Sequence, residues 1–68
     1  MTRRRLHRAF EALDARARTL LSLSRLEGLD AREIASLLAA TPERVAREIA
    51  TAERSLRRAA ALHERRRA

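Results

Sequence analysis

Cysteine is missing from this sequence, which excludes a disulfide framework and any thiolate metal site. Its absence also leaves the redox compartment unread. Gly28 is the only glycine, so no glycine-rich loop is available to cradle a phosphate. His7 and His63 are the only histidines and stand far apart with no ligand spacing around them, so no metal site is expected. Ser22, Ser24, Ser36 and Ser55 fall in helical stretches without a histidine placed as base. The chain reads as no enzyme, and neither cofactor nor small-molecule substrate is expected. Apolar runs are only a few residues long, far short of the ~20 needed to span a bilayer, and the start lacks the apolar region of a signal peptide. The expected location is cytoplasmic.

Aromatics are nearly absent too, with Phe10 alone, and 15 of the 31 apolar residues are alanine. The core must therefore be mostly leucine. In a chain of 68 residues, a single core rarely supplies more than about 3–5 kcal/mol. With so little volume to bury, the chain would lean on a partner or a second copy of itself, although its many alanines and arginines favour helix intrinsically.

Lysine is also lacking, and all 16 basic residues are arginines against 9 acids, for a net charge of +7. The all-arginine usage reflects coding bias before function. Such a balance invites a nucleic-acid partner, but its placement matters more than its total. Residues 1–9 carry +4, residues 10–40 carry −1, residues 41–56 carry zero and residues 57–68 carry +4. The excess sits at the two ends. Nonspecific attraction to phosphates would come from there.

What the sequence does have is concentrated between Leu26 and Leu56. Gly28 can end an incoming helix in the left-handed conformation, and Asp30 with Glu33 has the spacing of a capping box. Ile34, Leu37 and Leu38 recur at helical spacing, and Leu29 is placed to pack against Ile34 or Leu37. Thr41 can then cap a second helix, with Pro42 at the first helical position, where a missing N–H costs nothing. Val45, Ile49, Ala52 and Leu56 follow at i, i+4, i+7 and i+11, one apolar stripe. This is the pattern of a helix-turn-helix.

Before it, Leu6, Phe10 and Leu13 suggest a short amphipathic helix, and Asp14 can cap another that runs to about Leu26 with Ala17, Leu20, Leu21, Leu23 and Leu26 as its apolar residues. A break at Asp14 is favoured over one continuous helix. Arginines at a helix start oppose the macrodipole, so Met1 to Arg5 is expected to be an arm rather than a turn of helix. After Leu56 nothing stops the last helix until fraying near His63. The expectation is one all-α domain over residues 1–68, three to four helices with a long C-terminal helix and basic ends.

Region 4 of bacterial sigma factors, particularly the extracytoplasmic-function group, resembles this pattern from roughly Ala12 to Arg58. Leu26-Glu27-Gly28-Leu29-Asp30 matches its Leu-Glu-Gly-Leu-Ser box, and Arg32-Glu33-Ile34-Ala35-Ser36-Leu37-Leu38 its Glu-Glu-Ile-Ala-x-Leu-Leu box. Val45, Ile49, Ala52 and Leu56 match the core of its recognition helix. LuxR-type domains share part of these motifs, but the length of the leucine helix before Gly28 suits the sigma pattern better. Ala39 stands where the family usually has glycine. Arg44-Val45-Ala46-Arg47-Glu48 replaces the frequent Thr-Val-Lys-Ser-Arg, so two typical DNA-facing cations are Ala46 and Glu48, and a later one is Thr51. No region 2 is recognisable, so a stand-alone region 4-like protein is expected, not a complete sigma factor.

On the face opposite the apolar stripe, Arg47, Thr51, Arg54 and Arg58 recur at helical spacing, and Arg44 lies near the helix N-terminus, where recognition helices reach base edges. Arginine can bond guanine twice, and threonine can meet a base edge or a phosphate. These are the candidate DNA contacts. Arg3, Arg4, Arg5 and Arg8 at one end, and Arg57, Arg58 and Arg65 to Arg67 at the other, are candidates for phosphates or a minor groove. The competing interpretation is a solvated face on which Glu43 with Arg47, Arg44 with Glu48, and Glu53 with Arg57 form i,i+4 ion pairs. Sequence-specific duplex DNA binding in transcription regulation is the first functional expectation. The resemblance supplies the second: region 4 holds the RNA polymerase flap in a leucine-lined cavity, which implies a module for polymerase or a sigma or anti-sigma partner. The neutral recognition helix favours it. A homodimer reading a palindrome through its last helix is the third.

Overall fold

A computed structural model describes residues 3–67, with the side chains of residues 3, 5, 63, 64, 66 and 67 outside the described set. Among the described residues every regular element is helical: α1 (Arg3–Glu11), α2 (Ala15–Leu21) continued by a π-helical segment (Ser22–Leu26), α3 (Ala31–Leu38) and α4 (Pro42–Arg67). The molecule measures 42 × 18 × 16 Å. Its long axis is α4, whose 26 residues span about 39 Å at 1.5 Å per residue.

The starts of α2, α3 and α4 each follow from a side chain able to bond an orphan N–H. Asp14 accepts from the Ala17 N–H at 2.8 Å, so α1 and α2 are separate helices. At α3 the capping box is complete: Asp30 accepts from the Glu33 N–H at 2.8 Å, and Glu33 accepts from the Asp30 N–H at 3.0 Å. Thr41 Oγ1 accepts from the Arg44 N–H at 3.2 Å, and Pro42 opens α4.

The helix ends are less regular. From Ser22 the winding widens, with the Glu27 N–H bonding back to the Ser22 carbonyl at 3.1 Å and the Leu29 N–H to the Leu23 carbonyl at 3.0 Å. Gly28, at φ +71°, makes the reversal that this closure requires. The expected α-helical run to Leu26 is thus corrected to a π-helical last turn. That turn leaves Leu26 79% exposed instead of in the core. α3 ends on Ala39 at φ +53°, with the Ala40 N–H bonded to the Ala35 carbonyl at 2.9 Å. The left-handed turn forms without glycine.

Two buried clusters meet along α4. The first, beneath the helix-turn-helix, contains Leu20, Ile34, Ala35 and Val45, flanked by Leu23, Leu29, Leu38 and Ile49. The second joins α1 and α2 to the middle of α4 through Ala9, Leu13, Leu21, Ala52, Leu56 and Ala60, with Phe10 and Ala17 against it. Leu29 packs against the cluster that contains Ile34. Leu37 does not, being 65% exposed, because α3 turns the face of Ala31, Ile34, Ala35 and Leu38 inward. Leu6 is likewise exposed while Ala9 is fully buried. Two expectations about the ends are corrected as well. α1 begins at Arg3, so residues 3–5 are helical rather than an arm, and α4 continues beyond His63 to Arg67. Alanines 59–61 sustain the helix there, and cations near a helix C-terminus complement its dipole.

Candidate nucleic-acid interface

The apolar stripe of α4 fixes which residues face outward. Val45, Ala52, Leu56 and Ala60 are buried, so Arg44, Arg47, Thr51, Arg54 and Arg58, which lie across the helix from them, are exposed. The structure brings these five together on one face. Arg65, also exposed, continues the line toward the end of the helix. Arg4 and Arg8 are exposed on α1, whereas the side chains of Arg3, Arg5, Arg66 and Arg67 lie outside the described residues.

Within this face Arg54 Nη2 donates to Thr51 Oγ1 at 3.2 Å, coupling two of the candidate contacts. Arg44 Nε lies 3.6 Å from Glu48, and Arg57 4.0 Å from Glu53. Two of the three expected i,i+4 pairs therefore form. The third, Glu43 with Arg47, does not fall within ion-pair distance, and among the described residues Arg47 has no acidic partner.

Two further arginines escaped sequence reasoning. Arg16, in the first turn of α2, donates from Nη2 to Glu48 Oε2 at 2.8 Å. Arg25, in the π-helical segment, approaches Glu53 at 3.8 Å. Glu48 and Glu53 of α4 thus each bridge an arginine of their own helix and one from α2 or its π-helical continuation, on opposite flanks of the apolar stripe. Glu48 and Arg16 are 32 residues apart in sequence, beyond any local pattern. The hydrogen bond from Arg16, with the charges of Arg16 and Arg44 beside it, holds the Glu48 carboxyl below the usual glutamate range despite an opposing push from burial. The stability this adds is present above the pH where a free glutamate ionises, and it is lost as pH falls through the depressed folded-state value.

A second feature lies on the other side of the molecule. Leu6, Phe10, Leu21, Leu26 and Leu56 line an apolar groove between α1, the π-helical segment and α4, with His7 and Arg25 at its rim. No helix among the described residues is long and apolar enough to cross a membrane.

A capped helix, a left-handed turn and a second helix that projects a basic face define the class as a helix-turn-helix domain. The match to the model of sigma-70, region 4 covers residues 3–61. The chain belongs to that family, whose helix-turn-helix domains act in transcription. Comparison with curated proteins and with solved structures finds no match.

Proposed function

We propose that this region 4 chain binds duplex DNA sequence-specifically and acts in transcription regulation in the cytoplasm. The observation that carries the reading is the exposed row of Arg44, Arg47, Thr51, Arg54 and Arg58 opposite the buried stripe of α4. In this reading α4 enters the major groove from its N-terminal end, while α3 lies across the backbone and braces it. Arg47, with no acidic partner among the described residues, is the best placed to bond a guanine edge twice. Arg65 lies about 27 Å further along the helix at 1.5 Å per residue. That distance exceeds the ~12 Å width of one major groove, which suits a phosphate contact. Arg3, Arg4 and Arg5 would add attraction without sequence preference.

Selection of bound duplexes from a random pool at near-physiological salt tests this, because nonspecific attraction is already reduced there. An enriched motif is expected, and a palindromic motif would mean that two copies bind together. Arg47→Ala should cost about 1–3 kcal/mol and relax preference at one position, whereas Arg4→Ala should weaken all sequences alike and lower the salt slope by about 1. Identical behaviour of the two variants would sink the sequence-reading role.

The apolar groove beside Leu26 favours a second reading: a module that docks RNA polymerase or a sigma or anti-sigma partner, with little specific DNA contact. An empty selection from a folded protein supports it over the first.

A further inference from the structure

The charged cleft between α2 and α4 is lined by Arg16, Arg44 and Arg47, with Thr51 and Ser55 beside them. Glu48 stands in the middle of it, 27% exposed. Its two oxygens serve different arginines. Oε2 accepts from Arg16 at 2.8 Å, and Oε1 faces Arg44 Nε at 3.6 Å. Asp14, at the rim, has an oxygen committed to the N-terminus of α2. Among the described residues, Arg16 to Glu48 is the only side-chain hydrogen bond that joins two helices.

A guanidinium presents the same planar fork to a carboxylate and to a phosphate, and it bonds both through charged oxygens. A carboxylate that satisfies two arginines in an open cleft therefore occupies the position that two non-bridging oxygens of a phosphodiester would take. The cleft also adjoins Arg47 and Thr51 of the exposed row, so a duplex lying against α4 would bring its backbone to this edge. Resting on the reading of α4 as a DNA-binding helix, we propose that the cleft is a seat for one backbone phosphate of the duplex. Arg16 and Arg44 are its ligands, and the Glu48 carboxylate is an internal competitor that holds them when DNA is absent.

Two consequences separate this from a merely structural ion pair. Binding must displace Glu48 from Arg16, so the carboxylate lowers affinity for every sequence by a similar factor. It also hides cations from the count of phosphates neutralised, which flattens the salt dependence. Arg16 lies outside the helix-turn-helix and carries no base contact in this scheme. Its contribution is affinity alone.

Binding of a random-sequence duplex, followed between about 50 and 200 mM salt, tests the proposal with Glu48→Gln, which keeps shape and removes charge. Affinity should rise on the order of tenfold, and the slope of log K against log salt should steepen by about 1, the share of one phosphate. Adding Arg16→Gln to Glu48→Gln should return most of both changes, and because this double variant has the original net charge, a control at another acid must separate the seat from overall charge. Glu27→Gln raises net charge equally at an exposed acid that does not line the cleft, and should leave the slope unchanged. Exposed pairs add little to stability, so all variants should fold, and their melting curves check it.

The seat is overturned if Glu48→Gln binds no tighter with the same slope, or if Glu27→Gln acts equally. It is also overturned if Glu48→Gln only alters preference at one base, which would make Glu48 a base reader. Failure of both the original chain and Glu48→Gln to bind duplex at low salt would remove the DNA reading and the seat together. Retained binding with an unaltered slope would remove the seat alone.

Discussion

The cluster beneath the helix-turn-helix and the cluster beneath α1 share α2 and α4 but are filled with different side chains. Adjacent leucines divide between them, Leu20 facing the first and Leu21 the second. The first is packed with bulk, for Leu20, Ile34 and Val45 are almost wholly buried and only Ala35 is small. The second relies on small residues, with Ala9, Ala52 and Ala60 among its six buried members. Alanines let α1 approach α4 closely, but each buries a single methyl group, and burial contributes roughly 0.8 kcal/mol per CH₂. The end caps follow the same division. α3 and α4 have their start signals met by Asp30, Glu33 and Thr41, while α1 begins with arginines that oppose its dipole. The half that presents Arg44 and Arg47 is thus filled with the larger side chains and has the better-capped helices.

Ile34→Ala is the strongest way to break this comparison. It removes the largest α3 side chain from the bulky cluster, at a cost of roughly 2–5 kcal/mol. For a domain of this size that is most of the stability available, so far-UV circular dichroism at 25 °C should show major loss of helix. Loss confined to α3 would mean that the first cluster is not what holds the domain.

Ala9→Leu probes the other half. Ala9 is fully buried against α4, and overpacking of this kind costs typically 1–3 kcal/mol. The damage should be local. Amide exchange should quicken in α1 while α3 keeps its protection. Equal loss in both would show that the two clusters unfold as one unit and that their different filling has no energetic meaning.

How much of this was legible in the sequence follows the range of each interaction. The caps at Asp14, Asp30 and Thr41 and the reversal at Gly28 act within a few residues, and each was readable from spacing. So was the stripe from Val45 to Leu56, which set the exposed row on its opposite face. The π-helical turn was not, because it is a change of main-chain partners over Ser22 to Leu29 that no pattern of side chains encodes. Its effect was to turn Leu26 from an expected core residue into a groove wall. Leucine spacing also overrated Leu6 and Leu37, since in helices of 9 and 8 residues several faces fit a few apolar positions. Ala9 escaped notice because alanine marks no face until its neighbours are known. Arg16 with Glu48 depends on how α2 crosses α4, which only the packed core determines.

The smallest effect concerns the one non-glycine residue of the bulky half that adopts a left-handed backbone. Ala39 has φ +53° and ψ +45°, is exposed, and ends α3 by letting the Ala40 N–H reach the Ala35 carbonyl at 2.9 Å. A Cβ in this region crowds the following carbonyl oxygen, at a cost of about 1 kcal/mol or more, which glycine avoids. Glycine in turn loses more freedom on folding, which returns part of the gain. Ala39→Gly should therefore stabilise the domain by roughly 0.5–1 kcal/mol, seen as a higher urea midpoint with an unchanged slope. The hydrogen bond at 2.9 Å is kept by either residue, so the change isolates backbone strain. A lower midpoint would mean that alanine rigidifies this turn by more than it strains it. The tight half of the core would then be defined by a stiff turn as much as by its leucine, isoleucine and valine.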